Sequence, residues 1–360
     1  MKTIKHYGWN DSWETKWNEQ ILSEKRGKMI AGRVLLEHKH MYRVVTDQGE
    51  WLGTLSGNFK HNAQQRRDYP AVGDWVGIEQ MPGEEKGIIH SILPRNSLFS
   101  RKVAGETTVE QIVAVNVDYV LLVMSLNLDF NLRRLERYMI AAWDSGANPV
   151  IVLTKTDLCN DPETYIEQAE AVAFGVPIYV VSSVTGEGIT DLQDLLKDGK
   201  TAALLGSSGV GKSSLTNALC GEDVMNVQNI REDDDKGRHT TTHRELFHMP
   251  GGGLLIDTPG MREFQLWDNS ESLDAGFKDV EQIAETCRFN DCQHNGQPGC
   301  AIEEALNNGS LSRERYASYE KLKKELAFME RKADLAAQKA ERSKWKQITK
   351  DSRKRPIKKR

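Results

Sequence analysis

The chain has 360 residues, 28% of them charged and 39% hydrophobic, with a net charge of -4. That balance belongs to soluble globular proteins, and the length suggests about two to three domains. No apolar run approaches the ~20 residues that span a bilayer, and no apolar signal core follows Met1 to His6, so a cytoplasmic protein without a membrane partner is expected.

Residues 1–28 form an N-terminal extension in which Trp9, Trp13 and Trp17 recur every four residues. That spacing predicts one face of a short helix packed on the body. Residues 29–100 read as five short strands: Met29–Glu37, Met41–Thr46, Glu50–Leu55, Asp74–Glu79 and Gly87–Ile92. Asp47-Gln48-Gly49 and Met81-Pro82-Gly83 supply turns, and a small OB-like barrel is expected. Periodicity alone does not separate it from an SH3-like barrel.

Across residues 101–270 strands and helices alternate. Strands are expected at Tyr119–Ser125, Pro149–Thr154, Pro177–Val181, Ala202–Leu205 and Leu254–Ile256. Helices are expected near Leu132–Ser145, Pro162–Ala173, Ile189–Lys197 and Lys212–Cys220. This alternation predicts a parallel sheet covered by helices. Residues 271–330 read as a small helical subdomain around a cysteine cluster. Residues 331–360 hold 13 Lys/Arg against 3 Asp/Glu, a net of +10, which leaves -14 on the preceding 330 residues. A basic tail on an acidic body suits a polyanionic partner, or else a solvated end.

Gly206-Ser207-Ser208-Gly209-Val210-Gly211-Lys212-Ser213 fits G-x-x-x-x-G-K-S/T and is followed by Ser214. It follows an apolar strand and opens a helix, the context a phosphate-binding loop requires. Its glycines let backbone N–H groups curl around a phosphate, with Lys212 reaching the β- and γ-phosphates and the Ser213 hydroxyl on Mg²⁺. Asp257-Thr258-Pro259-Gly260 follows the strand Leu254–Ile256. Asp257 there would hold Mg²⁺ through water, and the Gly260 N–H would sense the γ-phosphate.

Thr154-Lys155-Thr156-Asp157 has the form N/T-K-x-D after an apolar strand. A carboxylate at Asp157 can accept from guanine N1–H and the 2-amino group, whereas adenine would leave it unpaired. Lys155 would lie along the base, and backbone N–H groups at Ser182 and Ser183 would meet guanine O6. The base reader precedes the phosphate loop in the chain, the reverse of ordinary GTPases. The chain therefore reads as a circular permutation of that fold, which is tolerable where domain ends lie close together.

Five cysteines, Cys159, Cys220, Cys287, Cys292 and Cys300, are too few and too odd for a disulfide framework. Cys287, Cys292, His294 and Cys300 fall within fourteen residues. Three thiols and an imidazole form a closed tetrahedral set, which points to one structural zinc.

Together these motifs resemble the circularly permuted GTPases of the RsgA (YjeQ) type. The resemblance spans roughly residues 29–330 and includes Gly237-Arg238-His239-Thr240-Thr241-Thr242. It implies an OB barrel, a GTPase core and a zinc subdomain. It also implies hydrolysis of GTP to GDP, stimulated by the small ribosomal subunit, with a role in that subunit's late maturation and contacts to its rRNA. A monomer is expected. The Thr240–Thr242 run would supply a hydroxyl to Mg²⁺ and the γ-phosphate; Thr241 is favoured, and spacing alone leaves its neighbours open. Met261 stands where a water-positioning Gln is usual, so the resemblance assigns that role to His239. Thr154 replaces the more common Asn, and the lost amide link to the phosphate loop implies modest nucleotide affinity. Two other functions compete: an ATP-dependent enzyme, and a nucleic-acid-binding module with a vestigial nucleotide site. Asp157 speaks against the first. The set Lys212, Ser213 and Asp257 speaks against the second.

Overall fold

The structure is a computed structural model. It describes residues 3–24, 28–38, 41–102, 110–127, 129–173, 175–221, 224, 244–257, 277–289, 292–295, 297–313, 315–324 and 327. The chain divides into two compact units, Met1–Gln265 and Leu266–Arg360.

The first unit opens with a short 3-10 helix (Ile4–Tyr7) and helix α1 (Asp11–Glu24), followed by a five-stranded barrel. Its strands are β1 (Ile30–His38), β2 (Met41–Thr46), β3 (Gly49–Leu55), β4 (Trp75–Gln80) and β5 (Lys86–Ile92). Their order is β1-β2-β3-β5-β4, and a β1–β4 pairing closes the barrel. Only β3 and β5 run parallel, and helix α2 (Gly57–Asn62) lies between β3 and β4 in the chain. This is the OB-like arrangement, which settles the choice that strand periodicity left open. Alternation in β3 turns Trp51 and Leu55 inward to join Val34, Tyr42, Val44, Val76, Ile78 and Ile89 in the barrel core. The β2–β3 turn is fixed by the Thr46 hydroxyl, which donates to the Gly49 carbonyl at 2.9 Å.

The tryptophan stripe packs on the barrel as expected, with one correction. Trp9 precedes α1, which begins at Asp11. Its ring lies edge-on to Trp75, with centroids 4.8 Å apart. Trp13 is buried and tilted against the same ring at 6.1 Å.

A short hairpin, β6 (Leu98–Lys102) and β7 (Glu110–Val115), follows the barrel. The core strands come next: β8 (Tyr119–Ser125), β9 (Asn148–Thr154), β10 (Ile178–Val181), β11 (Thr201–Leu205), β12 (Glu245–His248) and β13 (Leu254–Asp257). They lie in the order β10-β9-β8-β11-β13-β12, parallel except for β12. Helices α3 (Leu132–Asp144), α4 (Pro162–Glu170), α5 (Ile189–Leu195) and α6 (Lys212–Cys220) connect them. Residues Leu121, Val123, Val150, Val152, Ala202 and Leu204 are sealed in the core with Leu215 and Leu219 of α6. Strands buried on both faces read as continuous apolar runs, which is why they were legible. Neither β12 nor the β6–β7 hairpin was anticipated. Four residues, Glu245 to His248, carry too little alternation to announce a strand, and β12 owes its place to neighbours on both sides.

One of those neighbours belongs to the barrel. Strand β1 pairs with β12 at Leu36 and Glu245, so barrel and core share one eleven-stranded sheet. The Arg43 guanidinium of β2 pairs with the Glu245 carboxylate across this seam. Deeper in the seam, the fully buried Arg33 donates to the carbonyls of Tyr7, Gly73 (3.2 Å) and Asn116 (3.2 Å) and to the Thr201 hydroxyl (3.0 Å). Burial lowers its pKa to about 10, opposed by the carboxylates of Asp118 and Asp74, so it stays charged at neutral pH. A charge so deep survives because its donors are satisfied.

The second unit holds α7 (Lys278–Glu285), α8 (Ala301–Asn308) and helical residues 315–324. Phe277, fully buried, packs against Tyr319 at 5.6 Å and carries the Arg315 guanidinium 4.1 Å over its ring. Arg315 in turn forks onto Asp279 through Nε (3.1 Å) and a terminal nitrogen (2.9 Å).

Candidate functional site

The candidate nucleotide site lies where the parallel strands end. Strand β11 is central, flanked by β8 and β13, and its carboxyl end runs into residues 206–211 before α6. Ligands of open parallel sheets bind at such an edge. The loop's conformation is dictated by its glycines. A Cβ at Gly206 would sit 2.4 Å from the Val123 carbonyl oxygen, so strand and loop approach too closely for any other residue. Gly209 and Gly211 have φ of 80° and 95°, in the left-handed region. Val210 between them is fully buried and pins the loop to the core. Ser208 and Gly209 stay exposed, and Ser207, Lys212, Ser213 and Ser214 are half-buried. Lys212 Nζ lies 2.8 Å from the Gly206 carbonyl, so its ammonium is held over the loop, beside the amino end of α6. The first N–H groups of an α-helix have no partner within the helix and lie at the positive end of its dipole, the physical basis of phosphate binding.

Strand β9 delivers Thr154-Lys155-Thr156-Asp157 to the same edge, two strands away. The Thr154 hydroxyl, buried, donates to the Val210 carbonyl of the loop at 2.6 Å. Lys155 adopts φ 64°, which carries its side chain back over the loop, where Nζ donates to the Gly209 carbonyl at 2.7 Å. The expected loss of contact at Thr154 is thus corrected: threonine replaces asparagine, yet its shorter hydroxyl makes the link.

Asp157 is exposed, and one of its oxygens is fixed. Ser182, fully buried, donates its hydroxyl to Asp157 Oδ1 at 2.6 Å. The same Ser182 oxygen accepts the N–H groups of Val184 and Thr185, both at 3.2 Å. The carboxylate is therefore oriented by the very turn whose backbone would face the base. Thr156 anchors that turn from below by donating to Glu187 Oε2 at 3.0 Å. Glu187 escaped the sequence reading; the signal was its place between Gly186 and Gly188, both at positive φ. A Cβ at Gly188 would meet the Val180 carbonyl oxygen at 2.1 Å.

Other residues expected at this site are only partly described. Asp257 ends β13, parallel to the phosphate-loop strand, which brings its backbone to the same edge; its side chain lies outside the description. Gly260, Thr241 and its neighbours Thr240 and Thr242, His239 and Met261 lie outside the described residues.

In the second unit, Cys287, Cys292, His294 and Cys300 bring their ligand atoms within 4.8 Å of one another. The Sγ atoms of Cys287 and Cys300 each lie 3.6 Å from His294 Nδ1. A tetrahedral ion with arms of about 2.3 Å to sulfur and about 2.0 Å to nitrogen separates such donors by about 3.5 Å, so the set could hold a metal. Backbone N–H groups point at two of the sulfurs: Ala301 N–H at Cys287 Sγ (3.4 Å), and Glu303 N–H at Cys300 Sγ (3.5 Å) at the start of α8. Desolvation opposes ionisation of Cys287, but the N–H groups of Ala301 and Ile302 and the neighbouring thiols outweigh it and hold the thiol below its usual range. His294 itself takes φ 55°, bending the chain so that its ring returns to the sulfurs.

The Thr154 contact yields a test. Thr154→Val keeps the shape but strands the Val210 carbonyl, so unfolding free energy should fall by about 1–2 kcal/mol. Guanine nucleotide affinity should fall with it, because the loop loses its tie to the base reader. Thr154→Ser should retain both. Denaturant unfolding and nucleotide titration decide, and an unaltered Thr154→Val would remove the hydroxyl from the design.

Comparison with known proteins agrees with this geometry. The family model described as RsgA GTPase matches residues 92–267. The Small ribosomal subunit biogenesis GTPase RsgA 1 of Oceanobacillus iheyensis is 45% identical over 326 residues, covering 90% of this chain and 93% of its own. The crystal structure of YjeQ from Thermotoga maritima superposes with a TM-score of 0.62 at 30% identity, covering 83% of this chain and 99% of that one. YloQ, described as a circularly permuted GTPase, gives a TM-score of 0.62 at 25% identity, with 84% and 96% covered. The description of YloQ agrees with the motif order of this chain, and at this identity and coverage the chain belongs to the RsgA GTPase family and is a GTP hydrolase.

Proposed function

We propose that the protein binds the small ribosomal subunit and acts in its late maturation, hydrolysing GTP to GDP and phosphate with stimulation by the subunit. The observation that carries guanine selection is the exposed Asp157 carboxylate, oriented by Ser182 and joined through Thr154 and Lys155 to the phosphate loop. The relative from Oceanobacillus iheyensis bears a name that places its GTPase activity in small-subunit biogenesis. Among the described residues no helix is long and apolar enough to cross a membrane, which suits a cytoplasmic partner of this kind.

In this reading the N–H groups of residues 206–211 and the start of α6 cradle the β-phosphate, Lys212 spans the β- and γ-phosphates, and Ser182–Ser183 backbone groups meet guanine O6. Ser213, Thr241 and Asp257 are the residues that would hold Mg²⁺, which neutralises charge on the transferred phosphoryl group. The Gly260 N–H senses the γ-phosphate. A water attacking that phosphate must be held in line, and positioning supplies much of the acceleration. Met261 offers no hydrogen bond for this, so His239, beside the threonines, takes the role. The four-ligand set of Cys287, Cys292, His294 and Cys300 leaves no open position, so it holds one structural zinc rather than a catalytic one. The OB-like barrel at 29–100, the core at 101–270 and the metal subdomain at 271–330 then act as one monomeric chain. The basic residues 331–360 add contacts to rRNA phosphates.

Four outcomes are expected. Asp157→Asn exchanges an acceptor for a donor and should weaken GTP binding by about ten-fold or more; a competition assay in which the variant holds GTP like the wild type would refute the base reader. Freshly prepared reduced protein should carry about one zinc, and Cys292→Ala should release it and loosen residues 280–305 more than the core; elemental analysis finding no zinc would refute the assignment. The protein should sediment with small subunits when loaded with a non-hydrolysable GTP analogue and leave them with GDP. On those subunits His239→Ala should dock normally and lose most single-turnover hydrolysis, whereas a rate within a few-fold of wild type would move the role to a group supplied by the subunit.

A further inference from the structure

Six large apolar side chains are exposed among the described residues, and Phe289, 47% accessible, is the one aromatic of the six. A scattered exposed apolar side chain is ordinary. The surroundings of this one are not. Phe289 sits on the metal-binding loop between Cys287 and Cys292, and the exposed Arg288 holds its guanidinium 5.5 Å from the ring centroid. Among the described residues no carboxylate pairs with Arg288.

Both residues are held by their backbones. Arg288 N–H donates to the Gly299 carbonyl at 3.0 Å, and the Phe289 carbonyl accepts Cys292 N–H at 3.2 Å. Gly299 has φ 83°, and a Cβ there would press on Arg288 Cβ at 2.9 Å, so the glycine makes room for the arginine. Ring and guanidinium are thus presented on a loop that the metal ligands and these bonds keep in place. The exposed amides of Gln293 and Asn295 lie on the same loop.

A ring available for stacking, a cation for phosphate or for extended stacking, and amides able to donate and accept are what single-stranded RNA recognition uses. A duplex hides its base faces by stacking them on one another, so only an unpaired base could use the ring. A protein partner would instead favour an apolar anchor within an apolar surround, whereas the ring here lies beside the Arg288 guanidinium on a loop that also carries Gln293 and Asn295. We propose that Phe289 and Arg288 form a stacking platform for an unpaired RNA base. That the base belongs to the small ribosomal subunit rests on the functional reading above.

The test uses the full-length, metal-loaded protein with two probes: purified small subunits in the presence of a non-hydrolysable GTP analogue, and an unstructured decaribonucleotide at low salt. Phe289→Leu keeps an apolar side chain and removes the π face. It should weaken binding to both probes by about ten-fold, with the salt dependence unchanged because no phosphate contact is lost. Phe289→Tyr should restore binding. Arg288→Ala should weaken binding and reduce the slope of log K against log salt by about one. Metal content and thermal midpoint, equal to wild type, exclude a folding defect. A photo-crosslinking residue placed at 289 reads the partner directly and should join a nucleotide. Binding by Phe289→Leu equal to wild type on both probes, or a crosslink to a ribosomal protein, overturns the platform. Phe289-dependent binding of the oligonucleotide without any binding of subunits upholds the platform and overturns the small-subunit reading instead.

Discussion

Two short contacts cross from β9 to the glycine loop and tie the two halves of the candidate nucleotide site together, Thr154 to the Val210 carbonyl and Lys155 to the Gly209 carbonyl. In the chain these groups are 56 and 54 residues apart, and the base reader comes first. Parallel strands β9, β8 and β11 bring them to one edge, so the order in which the segments are made does not matter to the site. The glycine loop and the Asp157 carboxylate are thereby held at a fixed spacing. On the proposed reading a nucleotide is judged at both ends at once. Ser182 completes the joint by orienting Asp157 with a hydroxyl that two backbone N–H groups already fix.

The same sheet runs on into the barrel. Strand β12 lies between β13 of the core and β1 of the barrel, and Glu245 at its start meets Arg43 of β2. Arg33 binds the N-terminal segment, the barrel and the start of β11 through four acceptors. A barrel held this way is not a loosely tethered module, since it shares hydrogen bonds with a strand two positions from the one that bears the phosphate loop. Tyr7 adds an edge-to-face contact with His248 at 5.6 Å, so even the N-terminal segment reaches β12.

Much of this was legible in the residues, for identifiable reasons. Strands β8, β9 and β11 carry continuous apolar stretches at 120–124, 149–153 and 202–205 because both faces are covered, and the glycine loop is legible because its glycines serve close approach and positive φ. The metal cluster was legible because its four ligands lie close in sequence. Strand β12 was not, because a four-residue strand has no pattern of its own. The Thr154 contact was misjudged because residue type was compared with asparagine without the loop geometry that lets a shorter hydroxyl reach. Glu187 and Arg33 were missed for a related reason: the partners of their side chains lie 26 to 168 residues away in the chain, and charge at one position says nothing about which groups will meet it.

On the proposed function, the protein is a guanine-specific hydrolase whose catalytic arrangement is completed by the small ribosomal subunit. The most direct measure is steady-state GTP turnover by the wild-type protein with and without purified small subunits, with ATP and large subunits as controls. Basal turnover should be slow and should rise about ten-fold or more with small subunits, as expected when a docked partner orders catalytic groups, and ATP should not be turned over. Equal rates with and without small subunits, or ATP turnover matching that of GTP, would contradict that function.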